Sequence, residues 1–156
     1  KKPLESVNHE TILSALLGSR LSIYAQGLSI IKKASEAYGW HINLGDVIHN
    51  WKEGCIIKSD LLYILEKATN ENHESILLND EVVQLLNQHI ENWRNFASWT
   101  VLIGYPTSTI NASLTYLDLL SQENLSTNMI QALRDAFGGH QVELIDNEGL
   151  FHFDWN

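Results

Sequence analysis

The chain is 156 residues long, 44% apolar and 19% charged, with a formal net charge of −9 at pH 7. These values fit one folded domain able to bury about 70% of its unfolded surface, and they argue against disorder. The only basic pairs are Lys1-Lys2 and Lys32-Lys33, so the acidic field also argues against a nucleic-acid partner. One small phosphate held by a local arginine remains compatible with it.

Cys55 is the only cysteine, which rules out an intramolecular disulfide and points to a reducing, cytoplasmic compartment. No apolar run reaches the ~18 residues of a membrane span, and no signal-peptide pattern opens the chain, so no membrane partner is expected. Helix signals follow closely behind Lys1, as in a piece of a longer protein.

In chain order, Ile12, Leu16, Ile23, Leu28, Ile31 and Ala34 recur near helical spacing and predict one long helix over 10–38, capped by Asn8 and stopped by Gly39. Gly18 and Gly27 lie inside it at ~1 kcal/mol each relative to alanine, which suggests close approach of another helix backbone; the alternative is two helices meeting at Gly18. Asn43 caps a short helix through Trp51. After Gly54, the residues Ile56, Leu61, Ile64, Leu65 and Ala68 predict a helix over 55–69, which would place Cys55 at an apolar helix start. Residues 70–75 are polar and aperiodic, a loop. Asn79 or Asp80 opens a second long helix to about Ile103, with Val83, Leu86, Ile90, Trp93, Ala97 and Val101 on its face. Gly104-Tyr105-Pro106 ends it, because the residue before proline is pushed out of the helical region. A further helix is predicted over 108–120.

The stretch 124–140, NLSTNMIQALRDAFGGH, is the last predicted helix and the most informative segment. Met129, Ile130, Leu133 and Phe137 form an apolar stripe, Ser126 or Thr127 can supply the N-cap oxygen, and Gly138-Gly139 close the C-terminus. Arg134 borders the stripe and His140 follows the glycines. A guanidinium and an imidazole held near a rigid helix end are a candidate anion grip.

From Gln141 the pattern changes to a period of two, with Phe151, Phe153 and Trp155 alternating with His152 and Asp154, which suits an extended segment. Each ring can bury ~150–250 Å², so the arm must pack on this chain's own helices or on a partner subunit. The expected fold is therefore all-α, a bundle of about six helices with an extended C-terminal tail. The helical domain covers 1–140 and the tail 141–156.

Other motifs fail. The seven histidines make no ligand pair with metal spacing, His41 and His49 being eight apart across a break, so no metal is expected. No glycine-rich dinucleotide fingerprint or phosphate loop occurs, so no cofactor site is expected on this chain. Asn111-Ala112-Ser113 and Asn124-Leu125-Ser126 match a glycosylation pattern by chance, in or beside helices.

Several stretches together are more specific. Tyr24-Ala25-Gln26-Gly27, Gly39-Trp40, Gly54-Cys55-Ile56-Ile57, Asn128-Met129-Ile130-Gln131-Ala132, Arg134-Asp135, Phe137-Gly138, His140 and Phe151-His152 follow one another in an order that resembles the C-terminal part of 6-phosphogluconate dehydrogenase. The resemblance runs from about Ile12 to Trp155. It implies the second half of that family's helical domain plus a tail that crosses into the other subunit of a homodimer. It further implies that Arg134 and His140 bind 6-phosphogluconate around its phosphate, in trans. The family reaction converts that substrate to ribulose 5-phosphate and carbon dioxide with NADP. Its acid–base lysine and glutamate and its NADP site belong to upstream sequence, so no catalytic residue is expected on this chain. Leu133, Ala136 and Gly139 stand where the family carries glutamine, tyrosine and alanine, and Lys58 where arginine is common. These departures keep two alternatives open: a non-catalytic helical dimerisation module, and a divergent paralogue acting on another sugar acid.

Overall fold

The computed structural model describes residues 7–71 and 74–155. Among them six helices follow in order: α1 (His9–Tyr38), α2 (Leu44–Trp51), α3 (Leu61–Thr69), α4 (Asp80–Ile103), α5 (Ser108–Leu120) and α6 (Asn128–Gly138). A 3-10 turn, Ile76–Leu78, precedes α4, and two short strands, β1 (Val142–Leu144) and β2 (Asn147–Phe151), follow α6. The expected six helices are thus observed. The chain forms two compact units, residues 1–117 and 118–156.

Local chemistry explains several helix ends. The Asn8 side chain accepts from the Thr11 N–H at 2.9 Å while the Thr11 hydroxyl accepts from the Asn8 N–H, a reciprocal capping box. Asn43 and Asn79 accept from the first-turn N–H groups of α2 and α4. Gly39 and Gly104 close α1 and α4 in the left-handed conformation, at φ 64° and 72°.

In the first unit, α1 packs chiefly on α4, and α2 on α3. Leu21, Leu28, Ile48, Leu62, Leu65, Val82, Leu86 and the fully enclosed Trp93 make the core. The buried face of α1 differs from the one its large aliphatics suggested. Ser14, Ala15, Gly18, Ser19, Ser22 and Ala25 are enclosed, whereas Ile12, Leu16 and Ile23 are exposed. The physical reason lies at Gly18, where a Cβ would stand only 2.2 Å from the Trp93 ring. The small-residue stripe therefore accommodates an indole, rather than the helix backbone expected there. Gly27 has nothing close enough for its lack of a side chain to matter. Two of the buried serines bond within α1, Ser19 Oγ donating to the Ala15 carbonyl and Ser22 Oγ to that of Gly18, while Ser14 Oγ pairs across to His89 Nδ1 on α4. On α4 the buried face runs through Val82, Leu86, Trp93, Phe96, Ala97 and Thr100, while Val83 and Val101 face outward.

The helix expected over 55–69 begins only at Leu61. Cys55 lies in an irregular turn after Gly54 (φ 67°), half-buried, and Ile56 is fully exposed. Cys55 therefore starts no apolar helix. Tyr24 reaches this turn through its hydroxyl, which donates to the Ile57 carbonyl, and Arg20 donates to Ser59. Beside it, Glu66 accepts from both Lys52 and His49, which hold its carboxyl below the usual carboxylate range. No helix among the described residues is long and apolar enough to cross a membrane.

Candidate functional site

The second unit is built on α6. Its N-terminus departs from expectation: Thr127 occupies the cap position in a helical conformation and its side chain makes no capping bond. The first turn is instead tightened by main-chain bonds, from Met129 N to Ser126 O and from Ile130 N to Thr127 O. The C-terminus follows the sequence closely, with Gly139 in the left-handed conformation at φ 60° and its N–H on the Asp135 carbonyl at 2.8 Å. The glycine found where the family resemblance places alanine suits that backbone.

Past Gly139 the chain continues into an extended pair, as the tail's change of pattern implied, but folded back as a hairpin. β1 and β2 are antiparallel, pairing Val142 with Phe151 and Leu144 with Asn147, with an irregularity between Glu143 and Leu144. The tail then returns to α6, where Phe153 and Trp155 meet edge to face at 5.8 Å.

The residue that receives this return is Asp135. It is completely enclosed, and its two oxygens accept four bonds. Oδ1 takes the Gln141 N–H and His152 Nδ1, each at 2.8 Å. Oδ2 takes the Phe153 N–H at 3.0 Å and the Trp155 indole N–H at 2.9 Å. Burial alone would push this carboxyl up, but the four donors outweigh it and hold Asp135 well below the usual carboxylate range. Sequence reasoning missed this role. The one available signal is an aspartate near a helix end preceding a histidine- and tryptophan-bearing tail.

Arg134 faces the other way. It is exposed, and its Nη1 donates to Gln131 Oε1, one turn back, at 3.3 Å. Among the described residues it forms no ion pair. His140 lies over Gly138: a Cβ built there would meet its Cδ2 at 2.7 Å and its Nε2 at 2.8 Å. The imidazole edge thus fills the side-chain position four residues on from Arg134. Positions i and i+4 are neighbours on a helix, with Cβ atoms about 5–6 Å apart. The backbone therefore brings these two expected residues to one face of α6, while Asp135 is turned to another.

The apolar stripe beside them is not covered within its own unit. Met129, Ile130 and Leu133 are about half exposed or more, and Phe137 is 88% exposed. An open groove of about 860 Å³ lies between α6 and the hairpin, lined in part by Gln131, Gln141, Phe153 and Trp155. Neither Arg134 nor His140 lines it, and Glu123, Glu143 and Asp146 on its walls would repel a phosphate.

The family model described as 6-phosphogluconate dehydrogenase, C-terminal domain, matches residues 2–155. The chain belongs to this family. A decarboxylating 6-phosphogluconate dehydrogenase of Lactococcus lactis subsp. lactis is 37% identical over 148 residues, covering 94% of this chain and 31% of that protein. One from Staphylococcus epidermidis is 38% identical over the same length, covering 94% and 32%. The solved 6-phosphogluconate dehydrogenase of Plasmodium falciparum superimposes with a TM-score of 0.90 at 31% identity, covering 99% of this chain and 34% of its own. That protein is described in its apo form, with its cofactor NADP+ and with its substrate 6-phosphogluconate. The chain spans about a third of the length of the relatives it matches.

Proposed function

We propose that this chain is the C-terminal part of a decarboxylating 6-phosphogluconate dehydrogenase, and that Arg134 and His140 bind the substrate's phosphate. The observation that carries the proposal is the shared face: a guanidinium without an ion pair among the described residues and an imidazole one turn on, beside a carboxylate fully occupied elsewhere. Charge-assisted bonds from such groups to a phosphate contribute ~1.5–3 kcal/mol each. With the substrate's phosphate held, its carboxylate and oxidisable carbon lie toward groups supplied by the rest of the enzyme. The likeness to enzymes of that name supports a homodimer in which this unit serves the other subunit's site, and a cytoplasmic location.

The residues here do not fit a dinucleotide. Asparagine side chains cap α1, α2 and α4 where a nucleotide cradle needs a glycine-rich turn, and the remaining helix starts carry no such turn either. NADP binding and the proton transfers therefore belong, in this proposal, to sequence upstream. In the full-length enzyme, Arg134→Ala should weaken 6-phosphogluconate binding by about 2–5 kcal/mol, as loss of one partner of a bonded charge pair does. Steady-state and inhibition constants equal to those of the wild type would remove Arg134 from the phosphate site.

A further inference from the structure

Asp135 holds both sides of His140. Its main-chain carbonyl takes the Gly139 N–H at 2.8 Å, and its carboxylate takes the Gln141 N–H at the same distance. His140 is thus flanked by two residues bonded to one side of α6, and both flanking residues have positive φ, 60° at Gly139 and 65° at Gln141. For glycine that conformation costs little. For Gln141 it is uncommon and carries a steric penalty, so something must hold it there. The carboxylate bond to its N–H is in place to do so.

The same carboxylate is in turn fixed by the tail. His152, Phe153 and Trp155 supply its other three donors, from 17, 18 and 20 residues along the chain. A buried carboxylate with four donors cannot rotate without leaving several of its bonds unmade. The direction of His140 is therefore set from the chain's last few residues through Asp135.

We infer that Asp135, clasped by His152 and Trp155, is a positioning residue that aims His140 at the substrate's phosphate beside Arg134. The inference rests on the proposed phosphate site and adds to it a residue that never touches the substrate. It also gives the C-terminal residues a purpose. With His152 or Trp155 altered, Asp135 gains freedom to turn and the Gly139–Gln141 segment relaxes out of its positive-φ pair.

The test uses the full-length enzyme and two substrates, 6-phosphogluconate and unphosphorylated gluconate. Asp135→Asn should raise KM for 6-phosphogluconate roughly tenfold, the loss of about one charge-assisted bond. It should leave KM for gluconate nearly unchanged, so that discrimination between the two falls. His152→Ala and Trp155→Phe each remove one donor and should produce the same split to a smaller degree. His152→Asn, which returns a donor near the place of Nδ1, should recover part of the loss. Should Asp135→Asn fail to fold, the His152 and Trp155 variants decide. Equal losses on both substrates, or unchanged discrimination in folded variants, would overturn the inference. Arg134→Ala separates the two levels: if it abolishes discrimination while the Asp135, His152 and Trp155 variants do not, the phosphate site stands and the positioning role falls. If Arg134→Ala changes nothing, both fall.

Discussion

Gly138 is the residue whose absence of a side chain matters most to the proposed site. It sits within the last turn of α6 and needs no unusual φ, so conformational freedom does not explain it. The His140 ring occupies the place its Cβ would take. Alanine there should favour the helix by up to ~1 kcal/mol through propensity, while forcing the imidazole to swing away. Gly138→Ala in the full-length enzyme should therefore preserve or raise the melting temperature yet increase KM for 6-phosphogluconate by roughly tenfold, about the worth of one bond to a charged group. Steady-state kinetics with a parallel thermal melt would check it, and an unchanged KM would place His140 outside the phosphate site.

At the scale of elements, ends were more legible than faces. Asn8, Asn43 and Asn79 cap, and Gly39, Gly104 and Gly139 stop, through bonds made within a turn or so of their own positions, so sequence order alone reveals them. The buried side of α1 was hidden because its partner, Trp93, is distant in sequence and selects small residues rather than large ones. The turn ahead of α3 was hidden because its aliphatics, Ile56 above all, point outward and mimic a helical stripe. Asp135 was hidden for the same reason as the buried side of α1, since its donors arrive from well along the chain.

The clasp between α6 and the tail also has a pH signature. The folded Asp135 is depressed below an unfolded aspartate near pH ~3.9. A depressed carboxyl contributes stability that is fully present above the unfolded value and is lost as pH falls toward and through the folded one. The tail should therefore remain docked at neutral pH and loosen only in acid below about pH 4. Carbon-detected NMR of the Asp135 carboxyl and the Trp155 indole N–H resonance would follow this. Titration of Asp135 at an ordinary aspartate pH, with no accompanying change at Trp155, would mean that the four-donor arrangement does not persist in solution.

At the scale of the molecule, the surface of α6 calls for a partner. Met129, Ile130, Leu133 and Phe137 share a stripe beside Arg134, and Phe137 is the most exposed of them. Contiguous apolar patches of this kind usually mark an interface, and the homodimer proposed above makes a second copy the occupant. In a two-fold dimer each residue acts twice. Fully burying one phenyl ring is worth ~1.5–3 kcal/mol, so Phe137→Asp removes at least about 3 kcal/mol across both copies, before the cost of an enclosed charge. Light scattering on the wild-type chain should give twice the monomer mass at high concentration, and Phe137→Asp should shift the dissociation constant upward by at least roughly a hundredfold. The circular-dichroism spectrum should stay unchanged, because the side chain is exposed within its own chain. A wild-type chain that remains monomeric at hundreds of micromolar would mean that α6 finds its cover elsewhere in the full-length enzyme.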